Sequence, residues 1–283
     1  MTDFSTRFRA RRAIRLESGD GAGPVKLKLY QIDAFADRVF AGNPAGVCPL
    51  EGWIPEATMQ AIAAENNVAE TAFFVAGAPH YGLRWFTPTV EIPLCGHATL
   101  ASAFVIMTEL ERGKTRQSFE TQSGVLSVER DGELYTLDFP SYAPRPVTPP
   151  ARLAAALGVR PVAVLRGNYN LVLLESEAAV RAVKPDFGDL AWMDGVDVVV
   201  TAQGDNCDFV SRFFAPNHGI PEDPVTGSTH CMLTPYWAEK LGKTRLEARQ
   251  LSARGGELVC ELAGDRVKIA GRCVKYLEGE IDV

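Results

Sequence analysis

The stretch Arg84-Trp85-Phe86-Thr87-Pro88 decides the fold, because it leads through a short acidic loop to Cys95-Gly96-His97-Ala98-Thr99 and then to an apolar run. The chain carries the same arrangement again as Arg212-Phe213-Phe214-Ala215-Pro216, followed by Thr226-Gly227-Ser228-Thr229-His230 and a run of helical length. Each copy predicts a strand, a loop that ends at a glycine, and a helix whose first residues are polar. Repetition of so long a unit indicates a duplicated domain.

The pattern after each predicted helix repeats as well. A glycine follows each helix, Gly113 in the first copy and Gly242 in the second. A short strand and a hairpin come next, with Asp131-Gly132 as the first hairpin turn and Gly264-Asp265 as the second. The duplication therefore extends beyond a local motif, and it predicts two similar domains.

Two glycines mark the places where the copies are expected to bind a ligand. A helix N-terminus exposes unpaired N–H groups with about half a positive charge, and a glycine there lets a ligand approach the backbone. Two such termini, at Gly96 and Gly227, would clamp a small anion such as a carboxylate. The alternative is that both glycines only permit tight turns.

The totals limit the classes of protein to consider. A chain of 283 residues is long enough for one large domain or two ordinary ones. Its 29 Lys and Arg against 35 Asp and Glu give a net charge of −6, with no basic run in the repeats, so nucleic acid is not an expected partner. The longest apolar run, 98–107, is too short to span a bilayer, so no membrane partner is expected.

The cysteines indicate a reducing compartment. Six of them lie scattered along the chain without any Cys-x-x-Cys pair, which is typical of free thiols in the cytoplasm. The four histidines are separated from one another, and no zinc-type spacing appears. We therefore expect a cytoplasmic protein without a metal.

A proline-rich segment divides the chain. Residues 140–150 hold five prolines in eleven positions, which is typical of a linker. We predict an N-terminal domain over 25–141 and a C-terminal domain over 142–283, whose final strand pairs with either domain. Residues 1–24, rich in arginine and ending in glycines, are expected to form a flexible extension.

The first domain begins with a strand over 25–35 and a turn at Gly42-Asn43-Pro44. A helix should then open at Pro55 and close near 66–67. The strand after it starts at Glu70, a carboxylate directly before an apolar run. That acid is either a solvated strand end or a carboxyl held at the mouth of a cavity.

The helix over 98–110 is apolar on every face, so strands should wrap around it. Its counterpart in the second copy contains Pro235, which removes a backbone donor and should kink the helix or restart it near Tyr236.

Three polar residues lie where chemistry is expected, and each has a plainer interpretation. His97, near a helix N-terminus, should have a lowered pKa and a neutral imidazole, or else it only faces water. The plainer interpretation of Asp223 is a residue that only stabilises a turn, and that of Ser228 is an ordinary N-cap. The Gly-x-Ser-x-Gly elbow of a serine hydrolase is absent from the sequence, so hydrolase chemistry is not favoured.

Cys95 offers a competing chemistry. A thiol beside a helix N-terminus can ionise readily, as a catalytic thiolate requires. The second copy has Thr226 at the matching position, so a racemase with two opposed thiols would lack one of them. A small buried cysteine is the simpler interpretation of Cys95.

Four runs resemble the PhzF (phenazine biosynthesis-like) isomerase family. They are Glu70-Thr71-Ala72-Phe73, Cys95-Gly96-His97-Ala98-Thr99, the segment 222–230 that begins Glu222-Asp223-Pro224, and Arg254-Gly255-Gly256-Glu257-Leu258. The resemblance extends from Val25 to the C-terminus. It implies an α+β fold of the diaminopimelate epimerase type, in which each of two similar domains wraps a curved, mostly antiparallel sheet around a central helix. The active site would lie in the cleft between the domains.

The resemblance also assigns roles to residues. It implies that Glu70 is the catalytic glutamate and that His97, Asp223 and Ser228 complete the catalytic set. The segments around the two helix-terminal glycines would bind the substrate, through Gly96, Ala98, Gly227 and Thr229. It further implies a homodimer without a cofactor and a biosynthetic context. The second cysteine of the epimerase relatives is missing, which argues against amino-acid epimerisation.

The hypothesis is an isomerisation in which Glu70 takes a proton from an acidic carbon of a small carboxylated metabolite and returns it elsewhere on the molecule. Asp223 would keep Glu70 partly protonated by like-charge repulsion if the two lie close, while His97 and Ser228 hydrogen-bond the substrate. One alternative is a racemase or epimerase that uses Cys95. Another is a catalytically silent member that only binds a small molecule or a protein.

Overall fold

The computed structural model describes residues 25–193 and 197–283, and the extension expected at 1–24 lies outside this part of the chain. The described residues form two compact units. Unit 1 comprises 25–40, 44–137 and 273–283, and unit 2 comprises 41–43, 138–193 and 197–272.

Unit 1 contains the first eight strands, the last strand and two helices. Its strands are β1 (Lys26–Ala34), β2 (Asn43–Leu50), whose first residue belongs to unit 2, β3 (Glu70–Val75), β4 (Tyr81–Phe86), β5 (Glu91–Ile92), β6 (Arg116–Thr121), β7 (Gly124–Asp131), β8 (Leu134–Pro140), whose last residues belong to unit 2, and β18 (Cys273–Asp282). Its helices are α1 (Glu56–Asn66) and α2 (Gly96–Val105), and α2 continues as a π-helical turn, Ile106–Leu110.

The strands of unit 1 form one sheet in the order β18, β1, β2, β3, β4, β6, β7, β8. The β2–β3 and β4–β6 pairs are parallel, because α1 and α2 respectively make the crossovers, and β5 pairs with β4. The final strand of the chain thus lies against β1 at the edge of unit 1.

Helix α2 lies inside this curved sheet. It packs against β1, β3, β7 and β18, and nearly all of its residues are buried. A helix that is apolar all round has no face to give to water, which is why the strands surround it. A second apolar cluster lies between α1 and the strands β2 and β3, so β3 is buried on both faces.

Unit 2 repeats the arrangement. Its strands are β9 (Arg145–Pro146), β10 (Ala163–Arg166), β11 (Asn170–Leu173), β12 (Val198–Gln203), β13 (Phe209–Ala215), β14 (Ile220–Asp223), β15 (Arg245–Gln250), β16 (Gly256–Ala263) and β17 (Arg266–Gly271). Its helices are α3 (Leu153–Leu157), α4 (Glu177–Ala182), α5 (Phe187–Trp192) and α6 (Gly227–Leu241), with a 3₁₀ turn at Pro216–His218.

The strand order in unit 2 is β9, β10, β11, β12, β13, β15, β16, β17, with β14 beside β13. The β11–β12 and β13–β15 pairs are parallel, like β2–β3 and β4–β6 in unit 1. Helix α6 packs against β15, β16 and β17, and most of it is buried. The predicted duplication and the α+β class are therefore confirmed.

The expected restart of the second central helix near Tyr236 is wrong, while the kink expected at Pro235 stays a prediction. Helix α6 runs as one element from Gly227 to Leu241. Pro235 cannot donate to the carbonyl four residues earlier, that of Cys231, and the Tyr142 N–H donates to this carbonyl instead at 2.9 Å. The helix continues because the carbonyl that the proline leaves unpaired accepts a hydrogen bond from the proline-rich segment.

Two expectations about irregular segments also need correction. The turn expected at Gly42-Asn43-Pro44 ends at Gly42, which has a positive φ of 66°, while Asn43 and Pro44 begin β2. The proline-rich segment 140–150 is not only a linker, because it contains β9, which pairs with β10.

No helix in the described part of the chain is long and apolar enough to cross a membrane.

The wrapped helix should dominate the stability of unit 1. Leu100 is fully buried in α2, so Leu100→Ala should lower the free energy of unfolding by about 2–5 kcal/mol, measured by urea denaturation. Leu110, 47% exposed at the end of the π-helical turn, supplies the matched control, and its change to alanine should cost less than about 1 kcal/mol. Equal losses for the two variants would contradict the wrapped arrangement.

Candidate active site

The position of Glu70 follows from the alternation of side chains along β3. Phe73 and Val75 pack into the cluster with α1, so Glu70, an odd number of positions from both, points to the opposite face, toward α2. The glutamate is only 7% exposed. Of the two interpretations of this acid, the solvated strand end is therefore wrong.

Glu70 meets His97 inside unit 1. His97 is the second residue of α2, and its Nε2 atom lies 3.0 Å from Oε2 of Glu70. Both side chains are more than nine-tenths buried. The two atoms are close but poorly aligned, and neither has a hydrogen-bond partner within the described ranges. Two buried polar atoms without hydrogen bonds are costly, and such a cost is typical of a functional site.

Cys95 lies on the other side of the imidazole. Its Sγ atom is 3.5 Å from Nδ1 of His97, so the ring stands between the thiol and the carboxylate. Burial raises the pKa of Cys95 to about 11, and the charge of Glu70 acts in the same direction. Cys95 therefore carries its proton at neutral pH, unlike a catalytic thiolate.

The pKa of His97 corrects a prediction. The helix terminus was expected to lower this pKa, and burial does act in that direction. The charges of Cys95 and Glu70, together with the hydrogen bond with Cys95, outweigh burial, so the pKa of His97 is raised well above its usual value. Because Cys95 is a neutral thiol at pH 7, Glu70 is the negative charge that holds the imidazole protonated there.

The three side chains resemble a metal-ligand set, since one ligand atom from each of Glu70, Cys95 and His97 lies within 4.8 Å of the others. The chemistry of these side chains suits a metal ion, but their arrangement does not. Glu70 approaches Nε2 and Cys95 approaches Nδ1, which point to opposite sides of the ring. An ion bonds only one ring nitrogen at about 2.0–2.1 Å, so this geometry favours a chain of proton carriers.

A second cluster of polar side chains surrounds Asp223, which lies at the end of β14 in unit 2. Its carboxylate accepts a hydrogen bond from Nδ2 of Asn43 at 2.9 Å and a short one from the hydroxyl of Thr226. Gln250 joins the same group, donating to the Asp223 carbonyl at 2.8 Å and accepting from the Thr226 N–H at 2.9 Å. These donors fix the orientation of the Asp223 carboxylate.

Asn43 and Gln250 were missed by the sequence analysis. Both are fully or almost fully buried. Gln250 is bound through its nitrogen and its oxygen, whereas Oδ1 of Asn43 has no hydrogen-bond partner among the described residues. The signal for Asn43 was present in the Gly42-Asn43-Pro44 run, which was interpreted as a turn only. Gln250 ends a strand of ordinary composition, so the sequence carries no signal for it.

Ser228 is the second residue of α6, and the N-cap is Thr226, so the N-cap interpretation of Ser228 is wrong. The Ser228 hydroxyl lies 3.0 Å from the hydroxyl of Tyr169, another residue that the sequence analysis missed. The ring of Tyr169 packs edge-on against Phe213 at 4.9 Å between centroids, which holds the phenol in place.

The expected substrate-binding residues lie in the first turns of the two central helices. Gly96 and Ala98 belong to α2, and Gly227 and Thr229 belong to α6. The first N–H groups of a helix have no partner inside it, so these positions can offer backbone donors. The Thr229 hydroxyl is not available in the same way, because it donates to the Thr226 carbonyl at 2.9 Å. Their binding role stays a prediction.

Matched ion pairs hold the loops that lead to both helix termini. Arg84 on β4 contacts both oxygens of Glu91 at 2.7 and 2.6 Å, and Arg212 on β13 contacts both oxygens of Glu222 at 2.8 and 2.9 Å. Each guanidinium also lies over the phenylalanine two residues further along its strand. The sequence analysis quoted both arginines within the repeat but assigned them no role.

The comparisons with known proteins agree with this geometry. A sequence model of the family described as phenazine biosynthesis-like protein (PhzC-PhzF) matches residues 32–279. A Pseudomonas aeruginosa protein named as an uncharacterized isomerase is 51% identical over 258 residues, covering 91% of this chain and 99% of that protein. The crystal structure of a PhzF-family phenazine biosynthesis protein from Enterococcus faecalis is 46% identical with a TM-score of 0.90, covering 92% of this chain and 100% of that one.

A more distant structure extends the likeness in fold alone. A hydroxyproline epimerase from Agrobacterium vitis is 11% identical with a TM-score of 0.56, covering 91% of this chain and 93% of that one. The two proteins therefore share a fold. The relative of 51% identity carries the name of an isomerase, which defines the class of this protein. Within that class, the chain belongs to the PhzF (phenazine biosynthesis-like) isomerase family.

The contact between Glu70 and His97 predicts a pH titration of His97 that NMR can observe directly. By NMR, His97 should titrate well above about 6.5, the pKa of an unfolded histidine, and Glu70→Gln should lower its pKa. Since the folded pKa is the higher one, the pair adds stability that is complete below about pH 6.5 and is lost as the pH rises through the folded pKa of His97.

His230 serves as the internal control for this titration. Burial lowers the pKa of His230 to about 4, although its hydrogen bond with Thr226 acts in the opposite direction, so its ring should stay neutral from pH 5 upward. A wild-type His97 that titrates below 6.5 would show that the pair is not ionic.

Proposed function

We propose that the protein is a cofactor-independent isomerase that moves a proton on a small carboxylated metabolite, with Glu70 as the general acid and base. The observation that carries this proposal is the buried contact between Glu70 and His97, in which Oε2 of Glu70 has no hydrogen-bond partner among the described residues. A carboxylate buried in this way is able to act as a general base toward a carbon acid.

The proposed reaction is balanced without an oxidant or a reductant. A C–H bond next to an electron-withdrawing group breaks, its proton joins Glu70, and its electron pair spreads over the conjugated substrate. The protonated His97, 3.0 Å from Glu70, stabilises the negative charge that develops on the substrate. A proton then returns to a different carbon, and the product is an isomer of the substrate.

Unit 2 supplies the proposed groups that hold the substrate. The hydroxyl of Ser228 and the backbone donors at the start of α6 suit a carboxylate. Asp223 receives hydrogen bonds from Asn43 and Thr226, which supports a role in orienting the start of α6. The expected cleft between the two domains remains part of this proposal, and the family resemblance supports it.

Further parts of the proposal rest on the family resemblance and on composition. They are the absence of a metal or cofactor, a homodimer, a cytoplasmic location and a biosynthetic context. The net charge of −6 supports the expectation that nucleic acid is not a partner.

A racemase or epimerase that uses Cys95 is the second candidate function. Its support is the 3.5 Å contact between the Cys95 sulfur and His97, which could carry away the thiol proton. The raised pKa of Cys95, about 11, opposes it, because a base must be ionised before it can act. A member that binds a ligand without turnover is a third candidate, and the presence of Glu70, His97, Asp223 and Ser228 together opposes that.

The test of Glu70 uses solvent exchange, because exchange does not require the substrate to be known beforehand. The wild-type protein, incubated with a metabolite extract in heavy water, should place deuterium on carbon in a metabolite detected by mass spectrometry. Glu70→Gln should lower this incorporation by about 10²–10⁴-fold, since the amide cannot accept the proton.

Glu65→Gln provides the control for the same chemical change on an exposed helix residue, and it should exchange like the wild type. Full incorporation by the Glu70 variant would remove this residue from the reaction. An extract that stays unlabelled with wild-type protein would favour the binding-only alternative.

The thiol is tested separately with Cys95→Ala. We expect this variant to retain deuterium incorporation within about tenfold of the wild type, because Cys95 is a neutral neighbour of His97 in the proposed reaction. Cys207→Ala controls for the loss of a thiol elsewhere. Abolished exchange in the Cys95 variant alone would establish the racemase-type chemistry instead.

A further inference from the structure

Tyr169 lies in the short loop that joins β10 to β11 in unit 2. The two strands pair as far as Arg166 and Asn170, so residues 167–169 form the loop. Within it the Gly167 N–H donates to the Tyr169 carbonyl at 3.1 Å. A three-residue hairpin loop closed by a hydrogen bond leaves Tyr169 little conformational freedom.

Asn170 fixes the end of this loop. Its side chain is almost fully buried, and both ends of the amide are bonded. Nδ2 donates to the Asp197 carbonyl at 3.2 Å, and Oδ1 accepts from Arg166 at 2.9 Å. The Asn170 N–H donates to the same Asp197 carbonyl at 2.9 Å. The backbone next to Tyr169 is therefore held by a buried side chain with satisfied hydrogen bonds.

The loop packs directly on α6. A Cβ atom at Gly167 would lie 2.7 Å from Sδ of the fully buried Met232, so a side chain there would have to displace the methionine. Met232 lies one turn after Ser228, whose hydroxyl is 3.0 Å from that of Tyr169. The loop thus contacts two successive turns on one face of α6.

The phenol of Tyr169 keeps its proton at neutral pH. Burial, the largest cause, raises the pKa of this phenol and outweighs the opposite effect of the hydrogen bond with Ser228. The charges of Asp197 and Asp223 raise the same pKa further. A neutral phenol can donate a hydrogen bond, whereas a phenolate would repel a carboxylate ligand.

The hydrogen bond between the two hydroxyls has a preferred direction. A phenol is a stronger acid than an aliphatic alcohol and is therefore the better donor, while a serine hydroxyl can accept and donate at once. Among the described residues, the Ser228 hydroxyl has no other hydrogen-bond partner. When Tyr169 donates to the Ser228 oxygen, the Ser228 proton is left for a ligand.

We propose that Tyr169 is a positioning residue, which turns the proton of the Ser228 hydroxyl toward the carboxylate of the ligand. The inference rests on the proposed function and deepens it, because it explains how Ser228 is held as a donor. All the groups that it uses belong to unit 2. The hydrogen bonds run from the Tyr169 phenol to the Ser228 oxygen and from the Ser228 proton to the ligand, and no proton is transferred.

The experiment follows the binding of acetate by NMR, because acetate offers the site a carboxylate and no other polar group. In the wild-type protein, acetate should shift in a saturable way the backbone N–H signals of Gly227, Ser228 and Thr229. Tyr169→Phe keeps the ring that packs against Phe213. It should raise the dissociation constant of acetate about 3–10-fold, the usual effect of losing one neutral hydrogen bond.

Ser228→Ala shows whether Tyr169 acts through Ser228. This variant should weaken acetate binding at least as much as Tyr169→Phe does. In the Ser228→Ala background, Tyr169→Phe should change the dissociation constant by less than about twofold, because the hydroxyl that it orients is gone. A tyrosine that only supported the loop would weaken binding equally with and without the Ser228 hydroxyl.

Tyr236→Phe is the matched control, since it removes a phenol hydroxyl from a largely buried position on α6 itself, and it should bind acetate like the wild type. Three results would each overturn the inference: wild-type signals that do not move, a Tyr169 variant no weaker than the control, or a full loss in the Ser228→Ala background. Heavy-water exchange with the wild-type protein decides the proposed function separately. Acetate binding as expected without any exchange would keep the role of Tyr169 and reject the isomerase.

Discussion

Each half of the protein depends on a guanidinium held flat against a carboxylate. Arg84 and Arg212 each join a strand to the acidic loop that precedes a central helix, through two parallel contacts with Glu91 and Glu222. Two parallel hydrogen bonds fix the orientation of the carboxylate as well as its distance from the guanidinium. They therefore hold the loop in one conformation where it leads into the helix. The side chains are about four-fifths or more buried, where such a pair is screened little by solvent. The positions of His97 and Ser228 follow from this constraint, because each begins a helix at the end of a loop held in this way.

The two units share this arrangement of strand, loop and helix, but the side chains at the start of the helix differ between them. In unit 1 the residue before the glycine is a thiol and the residue after it is an imidazole, paired with the acid of β3. In unit 2 the same positions are Thr226 and Ser228, both hydroxyls, within a group of amides and carboxylates. One half is thus organised around a buried ionic contact, and the other around neutral donors. A duplicated fold that keeps its backbone while its side chains diverge can carry two different kinds of polar site.

The sequence predicted the features that depend on local pattern. The repeat, the strand from Glu70 and the helix at Gly96 were all visible, because periodicity and glycine placement encode them directly. Features that depend on distant partners were not visible. Pro235 is tolerated because a residue nearly a hundred positions earlier satisfies the free carbonyl, and the pKa of His97 rises because the fold brings Glu70 to it. Helices α4 and α5 escaped prediction because each has only six residues, too few to show a helical period.

The pairing of β18 with β1 sets the order in which the protein can be completed during synthesis. Residues 273–283 belong to unit 1, yet the ribosome makes them only after the whole of unit 2. Until β18 is synthesised, β1 lacks one of its neighbouring strands. All strands of unit 2, by contrast, have been synthesised once Gly271 has left the ribosome. An open strand of this kind is a site for unwanted pairing between chains, and its alternating lysines, Lys26 and Lys28, place charge along it during that interval.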